Sequence, residues 1–174
     1  MRERDDDSFK EFAVGHAGTL RRTAFLFCGD WHLAEDLMQT TLVKIYRSWS
    51  KVHKQESLSN YARTVLLRTW LDERRRPFRR SELSGAELPD MADVAADPEV
   101  SAGRMWAKHL VHQAMLRLPK GQRAVLVLRY FDDLTVAETA RVMRCAEGTV
   151  KSQAARGLET LRALVARMEA EVTL

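Results

Sequence analysis

The sequence is poor in cysteine. Cys28 and Cys145 lie far apart and form no CxxC pair, which excludes a disulfide framework and a cysteine-rich zinc site. Only 8 glycines and 4 prolines occur, too few for a collagen-like or low-complexity chain. No apolar run approaches the roughly 20 residues that a bilayer-spanning helix needs. The first residues, Met1-Arg2-Glu3-Arg4-Asp5-Asp6-Asp7, are charged and lack the apolar stretch of a secretory leader. A cytoplasmic protein without a membrane segment is therefore expected. No nucleophile–base pair, glycine-rich phosphate loop or metal-spaced ligand cluster is found. The expectation is a protein that is not an enzyme, with no cofactor and no metal.

What is present is a chain of 174 residues, 45% hydrophobic and 30% charged. That suits one ordinary domain or two small ones. The net charge of +4 is unevenly spread. Residues 1–80 carry 16 basic and 11 acidic side chains, residues 81–100 carry six acids and no base, and residues 101–174 carry 12 basic and 7 acidic side chains. Two basic bodies thus flank an acidic segment whose Ser84-Gly85 and Pro89-Asp90 read as linker. Basic bodies suit a polyanionic partner such as nucleic acid. Solubility alone is the competing explanation.

Apolar residues recur every three or four positions nearly everywhere outside the linker, which predicts helices throughout. Phe9, Phe12, Ala13, Leu20, Ala24 and Phe27 mark a first helix, expected to start at Asp6, Asp7 or Ser8 and to end at Gly29. Asp30 is the candidate N-cap of a second helix, and Ser57 that of a third, which should end near Arg76 before Pro77. Past the linker, Met105, Leu110, Ala114 and Leu118 mark a helix stopped by Pro119. The run Ala124–Phe131 reads as helix or buried strand. Helix is preferred because nothing else in the chain would pair with a strand. The expected fold is all-α, with two small helical domains over residues 8–80 and 101–170 joined by the 81–100 linker. The four tryptophans, Trp31, Trp49, Trp70 and Trp106, are expected in packing roles, Cys28 as a small buried hydrophobe, and His109 and His112 at the surface.

Thr135 and Glu138 form a T-x-x-E capping box, the start signal of a short helix, Val136–Met143. A turn at Arg144-Cys145-Ala146 leads into a long helix from Glu147 to about Met168. Helix, short turn and helix make a helix-turn-helix, with an αα-hairpin packing module as the competing reading. Val150 would anchor the second helix, leaving Gly148, Ser152 and Arg156 on the opposite face, flanked by Thr149 and Lys151. Arg144 and Arg156 suit phosphates. Lys151, Ser152 and Gln153 suit base edges, since Gln can bond adenine bidentately and Lys can reach guanine acceptors.

The stretch Leu134-Thr135-Val136-Ala137-Glu138-Thr139-Ala140, continued by Glu147-Gly148-Thr149-Val150-Lys151-Ser152, resembles region 4 of bacterial extracytoplasmic-function (ECF) sigma factors. Leu118-Pro119-Lys120-Gly121-Gln122-Arg123 and the residues to Tyr130 are similar to the segment before it in that group. Gly29–Thr41 resembles region 2.2, and Tyr61-Ala62-Arg63 through Asp72-Glu73-Arg74-Arg75-Arg76 resembles regions 2.3 and 2.4. The form Gly-Thr-Val-Lys-Ser-Gln is most similar to the actinobacterial SigE type. Two positions depart from the pattern: Ala146 where a serine cap is common, and Gln153 where many relatives carry arginine.

The resemblance implies a sigma factor that directs core RNA polymerase to promoters by recognising −35 and −10 elements. Region 4 would read the −35 element through the residues just named. An unstacked −10 base would be received by Lys51, His53, Lys54, Gln55, Asn60 and Arg63. Arg74, Arg75, Arg76, Arg79 and Arg80 would bind promoter phosphates, with a solvated helix end as the alternative. Asp30, Glu35, Asp36 and Gln39 would meet the β′ clamp helices of the polymerase, and the β flap is the further contact implied. For Glu35 and Asp36 a solvated helix face is the alternative. The acidic linker would thread the RNA exit channel, and an anti-sigma factor is a further candidate partner. A stand-alone helix-turn-helix regulator is the other function considered.

Overall fold

A computed structural model describes residues 2–74 and 98–173. Every regular element among them is helical: α1 (Arg2–Cys28), α2 (Trp31–Arg47), α3 (Trp49–Val52), α4 (Leu58–Arg74), α5 (Pro98–Leu116), α6 (Lys120–Leu126), a π-helical turn (Val127–Phe131), α7 (Val136–Met143) and α8 (Glu147–Val172). Most of the expected linker lies outside the described residues. Its last residues, 98–100, belong to the helical backbone of α5.

Helix α1 begins earlier than its sequence suggests. Asp6, Asp7 and Ser8 are not its cap but lie within it, and Glu3 and Asp5 occupy its first turn. Acidic side chains there oppose the positive end of the helix dipole, so the charged start favours helix. The other end behaves as expected. Gly29 takes φ +76°, and its amide donates to the Phe25 carbonyl at 2.7 Å. The backbone angle favours glycine, and a Cβ there would stand 2.6 Å from a Leu116 methyl and push that side chain aside. Asp30 then caps α2, its carboxylate accepting from the Leu33 amide at 2.9 Å. Ser57 accepts from the Asn60 amide at 3.3 Å at the start of α4.

The two halves share one core. Phe12, Phe25, Phe27, Trp49 and Trp70 from the N-terminal helices are buried together with Met115, Leu118, Leu126, Leu128 and Leu134 from the C-terminal ones. Phe27 stacks on Trp70 with ring centroids 4.8 Å apart. Phe25 is sandwiched between Trp31 at 4.0 Å and His112 at 4.8 Å. His112 is therefore buried, contrary to the surface position expected for it, because its place on α5 faces α1. Burial pulls its pKa down to about 4, so the ring is neutral at pH 7. His109, three residues away, is exposed as expected. Trp49 and Trp70 are core residues, whereas Trp106 is 45% exposed. Cys28 is held by packing, and burial pushes its thiol up to about 12.

Arg123 pins the joint. Its guanidinium is buried and donates to the Phe27 carbonyl at 2.7 Å, to the Leu118 carbonyl at 3.1 Å and to the Leu116 carbonyl. Phe27 and Leu116 close α1 and α5, where the last carbonyls have no acceptor role within the helix. A cation at those ends also meets the negative pole of each helix dipole.

Candidate nucleic-acid interface

The helix-turn-helix is built by local sequence. Thr135 Oγ1 accepts from the Glu138 amide at 3.1 Å, and Glu138 Oε2 accepts from the Thr135 amide at 2.8 Å, completing the capping box at the start of α7. Helix α7 stops where Arg144 adopts φ 52°, ψ 51°, a left-handed position taken here without glycine. The Cys145 amide reaches back to the Ala140 carbonyl at 3.1 Å. Ala146 turns extended and opens α8 with no side-chain cap, so the first amides of α8 have no hydroxyl or carboxylate acceptor from that position. A helix start without a side-chain cap suits a phosphate.

Val125, Ala140 and Val150 form a separate small core that fixes α8 against α6 and α7. With Val150 turned inward, Gly148, Thr149, Lys151, Ser152 and Arg156 are all exposed, and Arg144 is exposed beside them. Ser152 Oγ donates to the Thr149 carbonyl at 3.1 Å. Gln153 stands apart from this set. It is half-buried, and its side-chain amide lies against Gly121 of α6. The reason is angular: three residues after Val150 the helix has come round to within about 60° of the anchored side.

The N-terminal candidates divide in two. Lys51, Lys54 and Gln55 are exposed around the α3–α4 connection. His53 is half-buried, with Nδ1 2.7 Å from the Trp49 carbonyl oxygen. Asn60 and Arg63 lie one turn apart on α4, 3.5 Å between Arg63 Nη1 and Asn60 Oδ1. Neither faces open solvent. Arg63 Nε donates to Asp132 Oδ2 at 2.9 Å, and the pair is only 14% and 8% exposed. Asn60 is half-buried and stands beside the Glu138 carboxylate. The expectations for Arg75, Arg76, Arg79 and Arg80, and for the Arg74 side chain, lie outside the described residues.

On α2, Asp36 and Gln39 are exposed on one face. Asp30 is committed to capping. Glu35 turns toward α1, meeting Arg21 Nε at 2.8 Å while accepting from Gln39 Nε2 at 3.3 Å.

Three residues that organise the joint, Asp132, Thr23 and Arg123, carry no signal in the sequence. Thr23 Oγ1 also donates to the two Asp132 carboxylate oxygens at 2.9 and 3.1 Å. Partners separated by 69 and 109 positions leave no periodic trace in a sequence.

Comparison with known proteins agrees with the fold. The family "Sigma-70 region 2" matches residues 13–80, and "Sigma-70, region 4" matches residues 108–161. An RNA polymerase sigma-E factor of Streptomyces antibioticus is 35% identical over 154 residues, 88% of this chain and 82% of that protein. The ECF RNA polymerase sigma factor SigW of Bacillus subtilis is 25% identical over 93% of this chain and 91% of its own. Among solved structures, the sigma factor RpoE in complex with the anti-sigma factor NepR from Bartonella quintana superposes with TM-score 0.73 at 22% identity, covering 91% of this chain and 97% of that one.

Proposed function

Given that the chain belongs to the ECF group of RNA polymerase sigma factors and is a promoter-directing factor, we propose how its residues divide that work. The start of α8 enters the major groove of the −35 element. Lys151 and Ser152 reach base edges, Gly148 and Thr149 allow close approach, and Arg144 and Arg156 hold flanking phosphates. Gln153, turned toward α6, has at most an edge contact. Lys51, His53, Lys54 and Gln55, with Asn60 and Arg63, receive the −10 element, and the arginines at 74–76, 79 and 80 hold its backbone. Asp36 and Gln39 meet the β′ clamp helices of core polymerase, with Asp30 and Glu35 acting through the shape of α2. The C-terminal body meets the β flap. The acidic segment lies along the RNA path, and an anti-sigma factor is the natural regulatory partner. The protein acts without catalysis of its own and works in the cytoplasm.

The observation that carries this reading is the exposed polar face Gly148–Ser152 and Arg156, set on a helix anchored by Val150. Binding of the reconstituted holoenzyme to a randomised promoter library tests it. Lys151→Ala should lose about tenfold in affinity at one −35 base pair and relax the preference there. Arg156→Ala should weaken all sequences alike and lower the salt slope by about one. Unchanged −35 preference in the Lys151 variant would remove α8 from its proposed role.

A further inference from the structure

The C-terminal body closes over one of the two proposed DNA-reading faces by a specific device. After α6 the chain makes a π-helical turn, with the Asp132 amide bonded to the Val127 carbonyl and the Leu134 amide to the Leu128 carbonyl, both at 3.0 Å. Asp133 then takes φ 54°. This winding carries the Asp132 carboxylate onto α1 and α4, where Thr23 Oγ1 and Arg63 Nε both donate to it. One turn before Arg63, Asn60 stands beside the Glu138 carboxylate at the start of α7. A carboxylate of the C-terminal body, that of Asp132, thus occupies the Arg63 guanidinium near the N-terminal end of α4.

We propose that Asp132 is an intramolecular acidic latch: it holds Arg63 in the closed chain in place of promoter DNA. The inference rests on the assignment of Arg63 to the −10 element. A carboxylate satisfies a guanidinium as a phosphate does, with a short charge-assisted hydrogen bond. With Asp132 seated on it, the Arg63 guanidinium has its charge matched and is buried from DNA. DNA reaches it only in the fraction of chains whose bodies have parted, which lowers the apparent affinity of the free protein by that fraction. Docking on the polymerase, by holding the bodies apart, would release the latch. Burial pushes the Asp132 carboxyl above its ordinary range while Arg63 and Thr23 pull it back, as expected of a carboxylate desolvated for the sake of its partners.

The test compares full-length variants of equal charge. Asp132→Asn removes the latch. Asp133→Asn removes the same charge from the adjacent exposed residue and keeps the latch. Fluorescence anisotropy of a labelled random-sequence 30-nucleotide single-stranded DNA reads the free protein, and small-angle scattering reads its size. Asp132→Asn should bind roughly tenfold tighter than Asp133→Asn and show a larger radius of gyration. Thr23→Val, which changes no charge, should move both readouts the same way by less. Adding Arg63→Ala to Asp132→Asn should remove most of the gain. Equal binding by the two Asn variants with unchanged size would overturn the latch. Transcription from a promoter library with saturating core polymerase separates this result from the parent assignment. Wild type and Asp132→Asn should initiate equally well there, and failure of both would instead count against the sigma-factor reading of these residues.

Discussion

The N-terminal body, α1–α4, fills its interior with rings, including Phe12, Phe25, Phe27, Trp49 and Trp70, whereas the small core of the helix-turn-helix is Val125, Ala140 and Val150. Large flat rings give the first body surfaces on which something else can stack, and His112 of α5 does stack on Phe25. The aliphatic clip around Val150 has a narrower task, which is to hold α8 at one angle. The two proposed reading faces differ accordingly. Asn60 and Arg63 sit where the bodies meet, so closing covers them. Lys151, Ser152 and Arg156 lie on the side of α8 turned away from its anchor and remain exposed. In the same chain, one reader is occupied by the chain itself and the other is open.

Three perturbations break or sharpen that contrast. The largest effect should come from the joint. Arg123→Ala leaves the Phe27, Leu116 and Leu118 carbonyls without their buried donor and opens a cavity beside Trp70. A loss of about 3 kcal/mol or more is expected in urea unfolding. The transition should also split, with near-ultraviolet signals of the aromatic body and the helicity of the C-terminal body melting at different denaturant concentrations.

A smaller effect should follow from acid. His112 is held near 4 in the fold, against 6.5 as its ordinary value. The unfolded chain therefore binds a proton that the folded chain refuses. Stability from this group is complete above pH 6.5, falls as pH drops toward 4, and changes no further below that. The loss is on the order of 3 kcal/mol. His112→Phe, which keeps a ring against Phe25, should flatten the stability profile between pH 6.5 and 4. An unchanged slope would mean that other groups set it.

The smallest effect sharpens the open side. Ala146→Ser supplies the hydroxyl acceptor that α8 lacks and should stabilise the C-terminal body by about 1 kcal/mol. Thermal unfolding followed by circular dichroism reads the gain, which should leave the aromatic signals of the N-terminal body unmoved.

Local features of this fold are written plainly in the sequence. Thr135 and Glu138 announce the start of α7, Asp30 that of α2, and Gly29 the end of α1, because each is one residue or pair solving one local hydrogen-bonding or backbone problem. Val150 is legible as an anchor by helical spacing alone. The early start of α1 is hidden because Asp5-Asp6-Asp7 resembles a cap while also suiting a first turn. The end of α7 at Met143 is legible as well, although Arg144 closes it in a left-handed angle that usually calls for glycine or asparagine. The inward turn of Gln153 follows from its angle to Val150, whereas its residue type alone suits adenine. The joint was illegible for a different reason. Asp132, Arg123 and His112 find their partners in another body, and neither period nor spacing encodes which surfaces meet.

The central claim is that this chain directs initiation when it rides on core polymerase. Mapping of transcript 5′ ends from a randomised promoter library, with and without the purified protein added to core enzyme, tests it most directly. The account predicts starts that appear only with both components and share one −35 and one −10 sequence, with the −35 preference altered by Lys151→Ala. Absence of new starts, together with tight binding of the protein alone to a duplex site, would contradict it.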